Sequence, residues 1–131
     1  MTLVLASGSS IRLAMLTAAG VTVSVDSADI DEGAIKAAHG GDDCSLALAL
    51  AQAKAIETSR RSSQDWVIGG DSLVSVDGQR FDKPVSRADA ADHLHTFSGQ
   101  QMRLTSAVAL ARNGTIDWSH AEQATLHIRP L

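Results

Sequence analysis

Leu3-Val4-Leu5-Ala6-Ser7-Gly8-Ser9-Ser10-Ile11-Arg12 sets the fold class of this chain. The apolar run Leu3 to Ala6 has the length and composition of a buried strand. A small hydroxyl-rich loop, Ser7 to Ser10, follows. Ile11, Ala14, Met15 and Ala18 then recur at helical spacing, up to a stop at Gly20. A strand feeding a tight loop and a helix leaves the first-turn N–H groups aimed at the loop, where the helix dipole favours an anion. Arg12 adds a charged, planar fork of donors. Two readings stand at this point: a phosphate cradle, or an ordinary strand-to-helix turn with a serine cap.

Outward from this stretch, Val21 to Val25 alternates as a strand would, and Ser27 to Gly41 reads as an acidic loop or a weak short helix. Leu46 to Ile56 is rich in alanine and leucine and predicts a helix, with Asp42 and Asp43 standing where its caps belong. Trp66-Val67-Ile68 begins a strand that Gly69-Gly70 is expected to interrupt before Leu73 to Val76 resumes it. Asp77-Gly78 and Asn113-Gly114 are hairpin turns. Ser86 with Asp89 caps a helix running to Phe97, which Gly99 ends. Met102 to Leu110 and Thr115 to Ile128 form the last two strands. The order βα-β-α-ββ-α-ββ predicts one mixed α/β domain over residues 1–131.

Composition narrows the function. The chain has 131 residues, 44% of them hydrophobic, with two Phe, two Trp and no Tyr, so its core must come from Ala, Leu, Val and Ile. A net charge of −4 argues against general nucleic-acid binding and leaves room for a small anionic ligand with a metal. No apolar run approaches the ~18 residues of a membrane span. The single Cys44 excludes an internal disulfide and fits a reducing compartment. The five histidines show no ligand spacing.

Polar residues in unusual settings supply the candidate chemistry. Asp71 follows Gly69-Gly70 at an apolar strand, a place aspartate disfavours, and reads as a metal ligand, a general base or a turn cap. Asp29-Ile30-Asp31-Glu32 gathers carboxylates after the second strand, in what is otherwise a solvated loop. Lys54 is a sparse charge on an apolar helix, which snorkelling alone would explain. Lys83, held extended by Pro84, presents an ammonium from a loop.

In fixed order, Leu5-Ala6-Ser7-Gly8-Ser9-x-x-Arg12-x-x-x-Leu16, Asp31-Glu32, Leu50-Ala51-x-x-Lys54-Ala55, Ile68-Gly69-Gly70-Asp71, Lys83-Pro84 and Ala91-x-x-Leu94-x-x-x-Ser98-Gly99 resemble the Maf family of nucleoside triphosphate pyrophosphatases. The resemblance covers the whole chain. It implies a twisted mixed β-sheet flanked by helices around a central cleft, the fold shared with inosine-triphosphate pyrophosphatases. It implies a cytoplasmic, metal-dependent enzyme, often a homodimer. The reaction would cleave a non-standard, modified or pyrimidine nucleoside triphosphate into monophosphate and pyrophosphate. Ser7, Ser9 and Arg12 would hold phosphate oxygens; Lys54 and Lys83 would neutralise the triphosphate. Glu32 and Asp71 would be catalytic, binding Mg²⁺ or Mn²⁺, with Asp71 also activating water.

The chain departs from the family pattern at three places. Ser9-Ser10-Ile11-Arg12 stands where the family usually reads Ser-Pro-Arg-Arg, and Asp82 replaces the glycine before Lys-Pro. Ser72, after the motif aspartate, matches neither the threonine of the dTTP/UTP enzymes nor the glutamine of the 7-methyl-GTP group, whereas Val76-Asp77-Gly78 is closer to the latter. Family members run about 60 residues longer. The resemblance is therefore to the N-terminal two-thirds of the domain with its C-terminal part missing, and the chain alone is expected to be inactive. The alternative is a non-catalytic remnant that binds a nucleotide or a partner.

Overall fold

The structure, a computed structural model, describes residues 3–131. Its elements are β1 (Leu3–Leu5), α1 (Ser10–Ala18), β2 (Ser24–Val25), α2 (Glu32–Ala38), α3 (Asp43–Arg61), β3 (Trp66–Val76), β4 (Gln79–Phe81), α4 (Arg87–Phe97), β5 (Gln101–Arg112) and β6 (Thr115–His127). The six strands form one mixed sheet in the order β2-β1-β3-β5-β6, with β4 paired to the far half of β3. β1 runs parallel to β2 and β3, while β3, β5 and β6 form an antiparallel meander.

Helix α3 builds the core. Asp42 caps it, its side chain accepting from the Ser45 N–H at 2.8 Å, and Arg60 and Arg61 sit in its negative last turn. Leu46, Ala47, Leu50, Ala51 and Ala55 are fully buried against Leu73, Ala107, Ala109 and Ala111. Small residues dominate both sides, so helix and sheet approach closely. Two polar side chains inside this contact are satisfied. Thr58 Oγ1 donates to the Asp26 carbonyl at 3.3 Å; Ser59 Oγ accepts from the Gly114 N–H at 2.8 Å.

Three expectations need correction, and the choice left open between a loop and a short helix in the acidic segment is decided. The strand is not interrupted at Gly69-Gly70: β3 is continuous from Trp66 to Val76. Its glycines answer to close approach on opposite faces. A Cβ on Gly69 would run into the Ala51 carbonyl and lie 2.7 Å from Ala55 N. One on Gly70 would lie 3.3 Å from Arg12 Nε. The acidic segment holds a true helix, α2, because Asp31 caps it by accepting from the Ala34 N–H at 3.0 Å. α3 outruns the expected Leu46–Ile56 at both ends, since polar residues continue it where apolar periodicity stops. β2 keeps only Ser24 and Val25 in register with β1. Both hairpin turns stand as expected, with Asp77 and Asn113 at φ 52° and 51° and the following glycines also positive. The predicted cap of α4 is present too: Ser86 Oγ accepts from the Asp89 N–H and Asp89 returns a bond to the Val85 N–H, both at 3.0 Å.

The face of the sheet opposite α3 is largely open. Trp118, on edge strand β6, is half exposed and stacks on His120. Ile11 and Met15 of α1 are 72% and 65% exposed. No described helix is long and apolar enough to cross a membrane.

Candidate active site

Each candidate is placed by the local fold. The loop from β1 into α1 closes on itself: Ser7 Oγ accepts from the Ser9 N–H at 3.1 Å, and Ser9 Oγ accepts from the Arg12 N–H at 3.2 Å as the helix cap. The Ser10 and Ile11 amides, in the first turn, have no helix carbonyl within reach. Arg12 bends back across β3. Its Nη1 donates to Ser7 Oγ at 3.1 Å, and its stem lies over Gly70, where a Cβ would crowd it. Among the described residues Arg12 has no ion-pair partner, so a half-buried guanidinium stands uncompensated at a helix N-terminus. The serine cap of the second reading is present, and the capped turn carries the positive charge of Arg12.

The carboxylates converge from two other directions. Asp71 points from β3 toward α3, and Glu32 comes from the first turn of α2. Lys54, from the middle of α3, joins them. Its Nζ lies 2.9 Å from Glu32 Oε1 and 2.9 Å from Asp71 Oδ1, and 3.3 Å from the Gly70 carbonyl. The two carboxylate oxygens are thus no more than twice that distance apart. The Lys54 hydrogen bond, with its charge and those of Lys36 and Arg12, holds the Glu32 carboxyl below its ordinary pKa against a smaller opposing effect of burial. Glu32 therefore stays ionised to a lower pH than an unpaired glutamate, and the stability from its pairing is lost as pH falls through that lowered pKa. Asp71 Oδ2 is buried and meets no partner among the described residues. An unsatisfied buried carboxylate oxygen is costly, and a ligand removes the cost.

Ser7, Ser9, Arg12, Glu32, Lys54 and Asp71 thus share one neighbourhood. Lys83 does not join them. It is exposed in the loop after β4 and makes no hydrogen bond or ion pair among the described residues. That loop is tied back toward the site by the Lys36–Asp82 ion pair, 3.0 Å long and largely solvent-exposed. Lys36, one helical turn beyond Glu32, is the cation sequence reading missed. The only signal was its i+4 spacing from Glu32, which matters once α2 is known to be a helix.

This donor set suits a hard divalent cation. Mg²⁺ is commonly held by one or two carboxylates together with substrate phosphates rather than by a full protein cage. The orphaned Asp71 Oδ2 and the adjacent Glu32 fit that pattern, and no third carboxylate, His or Cys joins them among the described residues.

The fold class is that of the Ham1 and inosine-triphosphate-type pyrophosphatases. A dITP/XTP pyrophosphatase from Mycobacterium abscessus superposes on 97% of this chain, and 74% of its own, with a TM-score of 0.57 at 17% identity. A HAM1 protein from Coxiella burnetii gives 0.56 at 15% identity, over 95% of this chain and 71% of its own. Sequence narrows the class: residues 2–131 match the Maf-like protein model, and the chain belongs to that family. A protein of Rhizobium meliloti called 7-methyl-GTP pyrophosphatase is 39% identical over 98% of this chain and 66% of its own length. One of Sphingopyxis alaskensis called nucleoside triphosphate pyrophosphatase is 43% identical over all of this chain and 68% of its own. The chain thus spans about two-thirds of the length of these relatives.

Proposed function

We propose that this chain carries the phosphate-binding and hydrolytic site of a metal-dependent nucleoside triphosphate pyrophosphatase. The observation that carries the reading is the meeting, across one strand, of an unpaired arginine at a helix N-terminus with two carboxylates joined by a lysine. Arg12 and the first-turn amides of α1 would bind phosphate oxygens, and the Ser7 hydroxyl, which already accepts two bonds, keeps its own proton to donate. Glu32 and Asp71 would hold Mg²⁺ or Mn²⁺, which when bound neutralises polyphosphate charge and acidifies a water. Asp71 would take the proton of the attacking water. Oxygen attacks the α-phosphorus, the bond to the bridging oxygen breaks, and pyrophosphate departs with the bridging oxygen and its electron pair. Lys54 and Lys83 would offset the charge that gathers on that leaving group.

Relatives carrying both 7-methyl-GTP and nucleoside-triphosphate names, together with Val76-Asp77-Gly78, support a modified purine triphosphate as substrate over dTTP or UTP. The test is pyrophosphate release over a panel holding 7-methyl-GTP, GTP, dITP, dTTP and UTP. It is run on the chain itself and on the chain joined to the part of a relative's sequence that it does not cover. Release in either form, led by 7-methyl-GTP, is the expected result. Saturable nucleotide binding with no release in both forms favours a binding module instead.

Arg12→Ala provides a second check. The guanidinium faces the phosphate cradle and not a base, so its loss is expected to cost a few kcal/mol of transition-state stabilisation for every nucleotide alike. Measured kcat/KM values should fall together. A reordered preference with little common loss would place Arg12 at the base instead.

A further inference from the structure

Lys54 is held in a position that conflicts with the metal. Its ammonium sits between Glu32 Oε1 and Asp71 Oδ1, at 2.9 Å from each, with its side chain only 15% exposed. We infer that Lys54 is an internal cation that keeps the two carboxylates from a divalent metal until phosphate draws the ammonium away, so that metal and polyphosphate bind cooperatively. The inference rests on the reading that Glu32 and Asp71 hold the metal.

The physical argument is one of exchange. A metal taking the two paired oxygens strips Lys54 of two charge-assisted hydrogen bonds and leaves it with the Gly70 carbonyl. A metal taking the remaining oxygens lies about a carboxylate's width from a sparsely hydrated ammonium, and the two cations repel. Metal alone therefore pays a penalty on either route. A polyphosphate removes it by offering the ammonium new anionic oxygens, on the side where Arg12 already waits without a partner. By linkage, whatever the phosphate does for the metal, the metal does for the phosphate. Charge balance agrees: with its ammonium 2.9 Å from each carboxylate, Lys54 already offsets part of their charge without any metal.

The experiment measures Mn²⁺ binding by electron paramagnetic resonance of the free ion, with no nucleotide present. Lys54→Met, of similar length and without charge, is expected to bind Mn²⁺ at least ~10-fold more tightly than the parent chain, within the usual range of coupling between sites. Lys36→Met removes the same charge nearby without opening the carboxylate pair and should shift affinity less than ~3-fold. Asp71→Asn separates the two ideas. If it leaves Mn²⁺ binding unchanged, the metal reading fails and takes the inference with it. If it weakens binding while Lys54→Met leaves affinity unchanged or weaker, or Lys36→Met matches Lys54→Met, the inference alone is overturned. Inorganic tripolyphosphate in EDTA reads the other end. It should raise the melting temperature of the parent chain, and Lys54→Met should lose at least half of that rise; an equal rise in both overturns the hand-over to phosphate.

Discussion

Asp71→Asn should lower kcat at least ~100-fold, the usual scale for loss of a general base, with little change in melting temperature. The substitution is nearly isosteric. An asparagine oxygen still accepts from Lys54, which also keeps Glu32, so the local packing survives. What disappears is the charge that a divalent cation requires and the basicity that a water proton requires. Asp71 is also, among the described residues, the one carboxylate with a buried oxygen, Oδ2, that meets no partner. At saturating metal and nucleotide the fall should appear in kcat, because Arg12, Ser7 and the α1 amides are still there to bind phosphate. Steady-state pyrophosphate release, on whichever form of the chain is active, checks the expectation alongside thermal unfolding. Turnover within a few-fold of the parent would remove Asp71 from the chemistry. A collapse in melting temperature would reassign it to the fold.

The legible and illegible parts of this chain differ for physical reasons. Short-range signals read well. The Asp77-Gly78 and Asn113-Gly114 turns, the Ser86 cap and the α1 start are each fixed by two or three residues whose backbone preference or side-chain acceptor acts locally. Helix α3 was visible from its alanine and leucine, and Asp42 and Asp43 marked its start as capping residues, but its C-terminal end was not visible. Arg61 belongs to the ion pairs with Asp26 and Glu57, not to the apolar stripe. The site was legible as a set of residues only through the order of motifs. Nothing local to Lys54 says that it meets Glu32, 22 positions earlier, and Asp71, 17 later; the strand order β1-β3 and the packing of α3 on that pair decide it. Lys36 was missed because its weight depends on α2, a helix of seven residues whose sequence is mostly small and polar. Lys83 stands apart because it makes no hydrogen bond or ion pair among the described residues, while its loop is held by Lys36–Asp82 and by the Val85 N–H bond to Asp89.

The Gly69-Gly70 pair divides stability from binding, and one substitution at each position should separate them. Gly69→Val is expected to destabilise the chain by about 3 kcal/mol, at the upper end of overpacking costs. The added Cβ alone meets the Ala51 carbonyl, Ala55 N at 2.7 Å and Ala55 Cβ at 2.9 Å. Two of those atoms are helix backbone, so no rotamer change relieves the clash; α3 must lift from β3, along the contact where Leu50, Ala51 and Ala55 are fully buried. Marginal net stability, ~5–15 kcal/mol for a domain, turns that into a large fraction of the whole. The melting temperature should drop by roughly 10 °C. Gly70→Ala is the counterpart. Its Cβ meets the Arg12 side chain at 3.3 Å and the Ala107 carbonyl at 3.5 Å, and Arg12 is flexible enough to give way. Stability should therefore hold within about 1 kcal/mol, while inorganic tripolyphosphate binding weakens because the guanidinium has been displaced from the cradle. Calorimetric unfolding and titration of both variants provide the measurement. Equal losses of stability would mean that β3 simply rejects side chains at both positions. A stable Gly69→Val would mean that α3 does not rest on this strand as closely as its small-residue seam requires.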